Sequence, residues 1–281
     1  MNILNSKELV QSIKDNIKSF IDKLKQENKR LPCLVTILVG DNPASKIYVA
    51  NKEKACNEVG IKNETLRFSE DVSEDFLLHY IEKCNNDNTI DGILVQLPLP
   101  QHINAEKVLN AISPNKDVDG FHPENVAKLW LGQECIKPCT PQGIIELIDS
   151  TGINLEGKHV VVIGRSNIVG LPVAKMCLDR NATVTVCHSK TKHLGEITKQ
   201  ADILIVAIGK PKFVTSKMIK EDTIIIDVGI NRDESGKLCG DVDYDNIHSK
   251  TPYITPVPGG VGPMTIACLL RNTIKCYLNH D

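Results

Sequence analysis

The sequence predicts an α/β protein built from two α/β domains in series, and three observations support that fold class. The chain has 281 residues, about the length of two average domains. Strand-length apolar runs alternate with segments of helical periodicity, an order that builds parallel sheets. The second half contains a strand, a glycine turn and a helix in succession, which is typical of a doubly wound nucleotide-binding sheet.

The first half alternates helix and strand. LPCLVTILVG (31–40) is an uninterrupted apolar run that suits a strand buried on both faces. The predicted elements are a helix at 7–28, a strand at 31–40, a helix at 43–59, a strand at 62–68, a helix at 74–84 and a strand at 91–97. The proline-containing segment 98–138 is predicted to be irregular, with the domain hinge at its end near Pro138–Pro141.

The second half repeats this alternation without repeating the sequence. The predicted elements are a helix at 142–150, a strand at 159–164, a helix at 168–179, a strand at 183–188, a helix at 194–200 and strands at 202–209 and 223–229. A turn-rich stretch at 254–263 leads into a final helix at 264–278.

The charges are balanced and interspersed, which excludes two classes of partner. Lys and Arg number 33 and Asp and Glu number 35, so the net charge is −2. The sequence has no basic stripe of the kind that predicts a nucleic-acid groove. It also has no basic amphipathic helix and no apolar run of about 18 residues, either of which would predict contact with a membrane. We therefore expect a small molecule or another protein as the partner, with no nucleic acid and no membrane.

The cysteine pattern indicates a reducing compartment. Ten cysteines occur without a CxxC pair, and several stand inside apolar runs. This pattern favours reduced thiols that act as small apolar side chains over a zinc site or a disulfide framework, so no metal is expected. The N-terminal MNILNSKELV has no secretory or transit signal, and we expect a cytoplasmic protein.

A glycine turn follows the strand predicted at 159–164. Gly164 ends that strand, and Gly170 stands six residues later at the start of the next helix. Ser166 occupies the place where the usual GxGxxG pattern has a second glycine. A turn of small residues before a helix N-terminus suits the phosphates of a nucleotide cofactor, and a plain structural turn is the alternative.

The residues after the next strand bear on the choice of cofactor. An NAD-binding domain usually carries a carboxylate there for the ribose 2′-hydroxyl, whereas residues 187–191 read CHSKT. Together with Arg165 in the glycine turn, Ser189 and Lys190 favour a 2′-phosphate and hence NADP. A solvated loop of polar residues is the alternative.

Lys52 stands at the centre of the apolar face of the helix predicted at 43–59. At 100° per residue, an arc of about 120° contains Ser45, Tyr48, Val49, Lys52, Ala55, Cys56 and Val59. A lysine in such an arc is a candidate general acid or base. The alternative is a lysine that extends along the core or pairs with a buried acid. Tyr48, one turn earlier, and Gln96, at a strand end, favour the functional interpretation.

Two further segments are candidate parts of a site. KDVDG (116–120) contains Asp117 and Asp119 in a segment that we expect to be extended, and we expect the two carboxylates to face opposite sides. One aspartate that accepts hydrogen bonds from a heterocycle is favoured, and a metal site or an Asx turn is the alternative. TPVPGGVGPMT (255–265) is either a passive linker or a backbone that approaches a flat ligand.

Seven segments together resemble the bifunctional methylenetetrahydrofolate dehydrogenase/methenyltetrahydrofolate cyclohydrolase family. They occur in order over nearly the whole chain. They are SKIYVANKEKAC (45–56), DGILVQLPLP (91–100), KDVDGFHP (116–123), PCTPQG (138–143), GRSNIVGLP (164–172), ATVTVCHSKT (182–191) and TPVPGGVGPMT (255–265).

The resemblance implies an enzyme with two activities at one site. 5,10-Methylenetetrahydrofolate would be oxidised with NADP⁺ to the 5,10-methenyl cation, and water would convert that cation to 10-formyltetrahydrofolate. The resemblance also implies a folate-binding catalytic domain over residues 1–138 and a Rossmann-like NADP-binding domain over 139–281, with a cleft between them. The final helix, about 264–281, would pack back on the first domain.

The resemblance further implies roles for particular residues. Lys52 would be the acid/base of the hydrolytic step, Gln96 would orient it, Tyr48 would stack on the folate and Asp119 would hold the pterin ring. The backbone near the folate would be that of Pro258, Gly259 and Gly260. The residues in contact with NADP would be Gly164, Arg165, Ser166, Ser189 and Ile230.

The resemblance implies a homodimer as well, because members of the family commonly pair through the nucleotide domain. Two other classes of protein remain as alternatives. One is a different two-domain NADP dehydrogenase, for example one acting on a shikimate-like hydroxy acid. The other is a nucleotide-sensing or scaffold protein without catalysis. The QLPLP, DVDG and PVPGGVGP runs argue against the first, and the set Tyr48, Lys52, Gln96 and Asp119 argues against the second.

Overall fold

The computed structural model describes residues 2–279, and the chain forms two compact units. One contains Gln11–Cys139 and the chain from Ile266 onward, and we call it the three-stranded unit after its sheet. The other contains the chain up to Val10 and Thr140–Thr265, and we call it the six-stranded unit. None of the helices within residues 2–279 combines the length and apolar composition that a membrane span requires.

The first 95 residues follow the predicted alternation of helix and strand. The elements are β1 (Asn2–Ile3), α1 (Lys7–Gln26), β2 (Cys33–Val39), α2 (Pro43–Val59), β3 (Lys62–Phe68), α3 (Glu74–Asn86) and β4 (Gly92–Val95). The predicted elements are confirmed here, with small differences at their ends. The two-residue strand β1 was not predicted, because it is too short to show a periodicity.

The prediction of an irregular segment at 98–138 is wrong in part. Two short helices lie there, α4 (Ala105–Ala111) and α5 (Pro123–Trp130). The side chain of Asn104 caps α4, and Pro123 is the first residue of α5. Proline at the first helical position lacks only an N–H that has no partner within the helix, so it starts a helix rather than breaking one.

The second half contains the predicted elements and several short ones. They are α6 (Cys139–Asp149), β5 (His159–Ile163), α7 (Gly170–Leu178), β6 (Thr183–Cys187), α8 (Leu194–Thr198), β7 (Ile203–Val206), β8 (Ile224–Asp227), β9 (Asn231–Arg232), β10 (Leu238–Cys239), α9 (Tyr244–Ile247), β11 (Tyr253–Ile254) and α10 (Val261–Leu278). Helices α6 and α10 start three residues earlier than predicted. Pro141 and Pro263 lie in their first turns, where proline is compatible with a helix.

The sheet of the three-stranded unit is parallel, with strand order β3-β2-β4. Alternate side chains of β2 enter two cores. Leu34 packs with apolar residues of α1, α2 and the later part of α10, whereas Val35 and Ile37 pack with those of α3 and α4. Burial on both faces explains why this strand is an unbroken apolar run in the sequence.

The later part of α10 belongs to the three-stranded unit and is anchored there by polar contacts. The Asn272 amide donates hydrogen bonds to the carbonyl oxygens of Val118 (2.8 Å) and Lys137 (2.9 Å). The Tyr277 ring lies under the Arg30 guanidinium at 4.4 Å, and its hydroxyl donates to the Arg30 carbonyl oxygen. The last helix therefore closes one core of this unit and holds the backbone at Val118.

The sheet of the six-stranded unit has the order β1-β11-β8-β7-β5-β6, and all its strand pairs are parallel. From β5 the chain moves first to β6 on one side and then back past β5 to β7 on the other. The order of the strands thus reverses between β5 and β7. In open α/β sheets, ligands bind beyond the carboxyl ends of the strands at such a reversal.

Candidate functional site

Helix α2 carries Lys52, and strong signals fix both ends of the helix. The Asn42 side chain accepts hydrogen bonds from the amides of Ala44 and Ser45, and Gly60 ends the helix in the left-handed conformation at φ 84°. The predicted buried arc is confirmed for Ser45, Val49, Ala55, Cys56 and Val59.

The two polar members of that arc with long side chains are more exposed than its apolar members. Lys52 is half-buried. Tyr48 is 37% exposed, so its predicted place within the buried arc is wrong. Tyr48 is therefore partly accessible to solvent one turn before Lys52.

The Lys52 ammonium donates a hydrogen bond to the Gln96 Oε1 atom at 3.0 Å. Gln96 directly follows β4, and its backbone N–H continues the sheet by donating to the Ile37 carbonyl oxygen. The Gln96 amide nitrogen donates to the Leu97 carbonyl oxygen at 2.7 Å. Because that bond fixes the nitrogen side of the amide, the oxygen side faces Lys52.

The segment 116–119 runs beside β4, where Ile93 and Asp117 form an isolated parallel bridge. The buried Lys116 ammonium donates to the carbonyl oxygens of Cys84 and Asp87 at the end of α3. Burial lowers the pKa of this ammonium. These bonds hold the start of the segment against the end of α3.

Asp117 and Asp119 have different surroundings, but strand alternation is not the reason, because it places residues two apart on the same face. Residues 118 and 119 lie in a turn instead of an extended segment, and that turn separates the two side chains. Asp117 is 2% exposed, and its carboxylate accepts hydrogen bonds from the amides of Gly120 and His122 and from the Asn125 side chain. It therefore organises its own turn. Asp119 is half-buried, and its carboxylate has no hydrogen-bond partner among the side chains and backbone of residues 2–279.

The electrostatics of Asp119 connect it to Lys52. Burial raises the pKa of the Asp119 carboxyl to about 6, and the charge of Lys52 acts in the opposite direction. An amine, an amide and a carboxylate thus come together from α2, from the end of β4 and from the segment beside it. This set can move a proton and accept hydrogen bonds. No group of three or more metal-ligating side chains stands within residues 2–279.

In the six-stranded unit the glycine turn lies at the strand reversal. Gly164 has φ 123°, and a Cβ atom there would lie 2.3 Å from the Ala207 carbonyl oxygen just after β7. Only glycine permits that approach. The Gly164 amide also donates to the Cys187 carbonyl oxygen. The turn is therefore held between both neighbouring strand ends.

Ser166 has a structural contact that the sequence analysis did not foresee. Its Oγ atom accepts hydrogen bonds from the amides of Val169 (3.2 Å) and Gly170 (3.4 Å), at the start of α7. The hydroxyl thus caps the helix that begins at Gly170, two residues later than predicted. The hydroxyl proton remains available to a ligand, so a contact with a cofactor is compatible with this position.

Arg165 follows β5 and Ser189 follows the adjacent strand β6, and we call these two residues the cationic edge. The Thr191 hydroxyl accepts a hydrogen bond from the His188 amide, and the Thr191 amide donates back to the His188 carbonyl oxygen, so residues 188–191 form a tight turn. Ser189 is exposed in that turn, and Arg165 is exposed just beyond β5. A cation and a hydroxyl with no carboxylate in this turn fit a phosphate on the ribose.

The remaining predicted residues follow β8 and β11. Ile230, three residues beyond β8, is 46% exposed. In the loop after β11, the Gly259 carbonyl oxygen accepts hydrogen bonds from both the amide (3.1 Å) and the hydroxyl (2.8 Å) of Ser6. Ser6 therefore pins the loop of Pro258, Gly259 and Gly260.

Sequence reasoning missed Lys116 and Ser6, which hold candidate site segments in place. No local pattern indicates the burial of Lys116, because its partners are the carbonyl oxygens of Cys84 and Asp87, about thirty residues earlier in the chain. Nothing near Ser6 in the sequence indicates its partner, because Gly259 is 253 residues away. The cysteines within residues 2–279 form no disulfide, and most are buried.

Both halves of the chain match one protein family. Residues 4–119 match the family described as "Tetrahydrofolate dehydrogenase/cyclohydrolase, catalytic domain". Residues 138–281 match "Tetrahydrofolate dehydrogenase/cyclohydrolase, NAD(P)-binding domain". The chain is also 56% identical over 273 residues to the bifunctional protein FolD of Oceanobacillus iheyensis, covering 97% of this chain and 95% of that protein.

Two solved structures are similar over almost the whole chain. The crystal structure of the bifunctional FolD dehydrogenase/cyclohydrolase from Campylobacter jejuni has 52% identity and a TM-score of 0.97, with 99% of both chains covered. The Trypanosoma brucei FolD enzyme, solved with NADP cofactor and an inhibitor, has 36% identity and a TM-score of 0.95, with 99% of this chain and 97% of that chain covered.

We expect Asp119 to titrate with a pKa of about 6, well above an exposed aspartate. In Lys52→Met the pKa should rise further, because the substitution removes the positive charge that opposes the effect of burial. Carboxyl carbon NMR of labelled aspartate measures both values. Lys54→Met, on the exposed side of the same helix, is the control and should leave the Asp119 pKa unchanged. An unchanged pKa in Lys52→Met would contradict the electrostatic contact.

Proposed function

Since this chain belongs to the tetrahydrofolate dehydrogenase/cyclohydrolase family, we propose that Lys52, Gln96 and Asp119 form one site that serves both of its reactions. The enzyme oxidises 5,10-methylenetetrahydrofolate with NADP⁺ and hydrolyses the methenyl product to 10-formyltetrahydrofolate. The hydrogen bond from Lys52 to Gln96, with Asp119 beside it, is the observation that carries the proposal.

Asp119 is proposed to anchor the pterin ring. Its carboxylate makes no hydrogen bond within residues 2–279, whereas three donors already occupy Asp117. An ionised carboxylate only accepts hydrogen bonds, and a pterin edge presents N–H donors. Tyr48, with its ring partly exposed one turn before Lys52, is proposed to stack on the folate.

Lys52 is proposed to be the acid/base of the hydrolytic step. Water adds to the carbon of the methenyl cation, and the Lys52 amine, in its unprotonated form, accepts the proton that this water loses. The hydroxyl proton of the resulting adduct passes to N5 as the bond between that carbon and N5 breaks, so the ring opens and the formyl group stays on N10. The reaction consumes one water and releases one proton, so no further reactant is needed.

Gln96 is proposed to position the Lys52 amine. Its carbonyl oxygen faces the amine because its nitrogen is held by Leu97. An amide oxygen accepts a hydrogen bond without adding a charge. Gln96 can therefore hold the amine beside a cationic intermediate in either protonation state of Lys52, and a carboxylate there would favour the charged lysine.

NADP⁺ supplies the hydride acceptor for the oxidation when it is bound. The residues proposed to hold it are Gly164, Arg165, Ser166, Ser189 and Ile230. The close approach at Gly164 and the cationic edge at Arg165 and Ser189 support the assignment. Pro258, Gly259 and Gly260 are proposed to lie near the folate, and the bonds from Ser6 give their loop a fixed backbone.

We also propose a cytoplasmic homodimer. Strand β6 stands at the edge of its sheet with half-buried Val184 and Val186, and an open edge of this kind can pair with a second copy. Buried thiols without disulfides among residues 2–279 fit a reducing compartment. A solution mass of 31.0 kDa, that of one chain, would contradict the dimer.

We expect Lys52→Met to suppress methenyltetrahydrofolate hydrolysis by ~10²-fold, because the substitution removes the general base and keeps much of the volume. Oxidation should survive better, so methenyltetrahydrofolate should accumulate when both steps are followed by absorbance. Lys54→Met is the matched control, since it removes an exposed lysine from the same helix. Loss of neither activity in a folded Lys52→Met protein would sink the proposal, and equal loss of both would assign Lys52 to folate binding alone.

We expect Arg165→Ala to weaken NADP⁺ binding about tenfold or more and NAD⁺ binding much less, because only NADP⁺ carries the 2′-phosphate that a charged hydrogen bond would reach. Titration calorimetry with each cofactor measures the two affinities. Arg180→Ala removes an exposed arginine elsewhere in the same unit and should change neither affinity. Equal losses for both cofactors would refute the role of Arg165 at the 2′-phosphate.

A further inference from the structure

Asp241 is buried at 0% exposure beside the loops that follow β7 and β8. Its Oδ2 atom accepts hydrogen bonds from the amides of Ile208 (2.7 Å) and Gly209 (3.0 Å). Its Oδ1 atom accepts from the Lys210 amide (2.7 Å) and from the Asn231 side-chain amide (2.8 Å). One carboxylate therefore ties the loop after β7 to the residue just beyond Ile230.

Only a carboxylate fits these surroundings. All four groups that bond to Asp241 are N–H donors, so both oxygen atoms must accept. A side-chain amide would turn an NH₂ group toward at least one of these donors. Gly229 completes the enclosure, since a Cβ atom there would lie 2.2 Å from Asp241 Oδ1.

A second buried carboxylate, Asp227, holds the backbone of Asp241. Asp227 is the last residue of β8, and its Oδ1 atom accepts hydrogen bonds from the amides of Asp241 (2.9 Å) and Gly229 (3.1 Å). Its Oδ2 atom accepts from the Val242 amide (2.9 Å). Asp227 thus fixes the backbone that carries the Asp241 carboxylate relative to the end of a central strand.

The two loops lie at the strand reversal. Ala207, which meets the glycine turn at Gly164, immediately precedes the three amides bound by Asp241. Ile230 stands between Gly229, which packs on Asp241, and Asn231, which bonds to it. The contacts of Asp241 therefore lie on both sides of Ile230, which is a proposed cofactor residue. They also reach the carboxyl end of β7, beside Gly164, which is another.

We propose that Asp241 is a positioning residue for NADP. It fixes the loops after β7 and β8, so that the backbone beside Gly164 and the side chain of Ile230 are already in place before the cofactor arrives. This role rests on the proposed assignment of Gly164 and Ile230 to the cofactor. Asp241 itself is buried and acts through those loops.

The test compares Asp241→Asn with Asp202→Asn. Asp202 also links two strands of the same sheet, accepting from the His159 amide and from the Lys220 ammonium, but it does so at the amino ends of β5 and β7. Titration calorimetry with NADP⁺ and no folate gives the affinity, and urea unfolding gives the stability. Initial rates then give the KM for each substrate.

We expect Asp241→Asn to weaken NADP⁺ binding by ~10-fold or more, because a small displacement of contact groups has a large effect. In Asp241→Asn, the KM for methylenetetrahydrofolate should stay within about twofold of wild type, because substitutions far from a ligand act on its binding weakly. For the same reason, the NADP⁺ affinity of Asp202→Asn should stay within about twofold of wild type. Both variants should lose stability. Equal losses of stability with unchanged NADP⁺ affinity in both would overturn the positioning role.

Asn231→Ala provides a second test should Asp241→Asn fail to fold. It removes one of the four donors from beside Ile230 and leaves both carboxylates in place. A folded Asn231→Ala protein with weaker NADP⁺ binding supports the proposal, and one with wild-type affinity overturns it. Failure of the proposed function would appear instead in the wild-type chain as absent NADP⁺ binding, and it would overturn the role of Asp241 as well.

Discussion

The position of Asp119 depends on a backbone that is held at each of the three preceding residues. Lys116 bonds to the end of α3, Asp117 binds its own turn, and the Val118 carbonyl oxygen accepts from Asn272. Asp119 is left as the one carboxylate of the segment that can accept a ligand. The organisation of the candidate site thus rests on a buried lysine and a helix from the far end of the sequence.

In the six-stranded unit, the candidate site consists of backbone turns at the ends of parallel strands. These turns are held in place by contacts with residues outside the turns. Gly164 is held by contact with the strands on either side, and the loops beyond β7 and β8 are held by buried carboxylates. In both units, buried charged side chains fix the backbone of the candidate site.

Local patterns in the sequence predict most of the fold and much of the candidate site. Lys52 and Gln96 could be placed because a helical arc and a strand end are properties of a few neighbouring residues. Two-residue strands such as β1 and β11 have no such pattern. The contacts of Asp241 could not be predicted either, because its backbone partners are more than thirty residues away and contribute only main-chain atoms.

Arg165 and Ser189 are exposed and lie outside the hydrogen bonds that shape the turns around them, whereas Ser166 caps a helix and Gly164 fills a space that no side chain could enter. The contacts proposed for the ribose phosphate would therefore be made by side chains that take no part in shaping these turns. If Arg165 and Ser189 hold the 2′-phosphate as proposed, substitutions at these exposed positions would change the preference for NADP over NAD without compensating changes in the core. The residues proposed to select the cofactor are thus different from the residues that the turns require in order to fold.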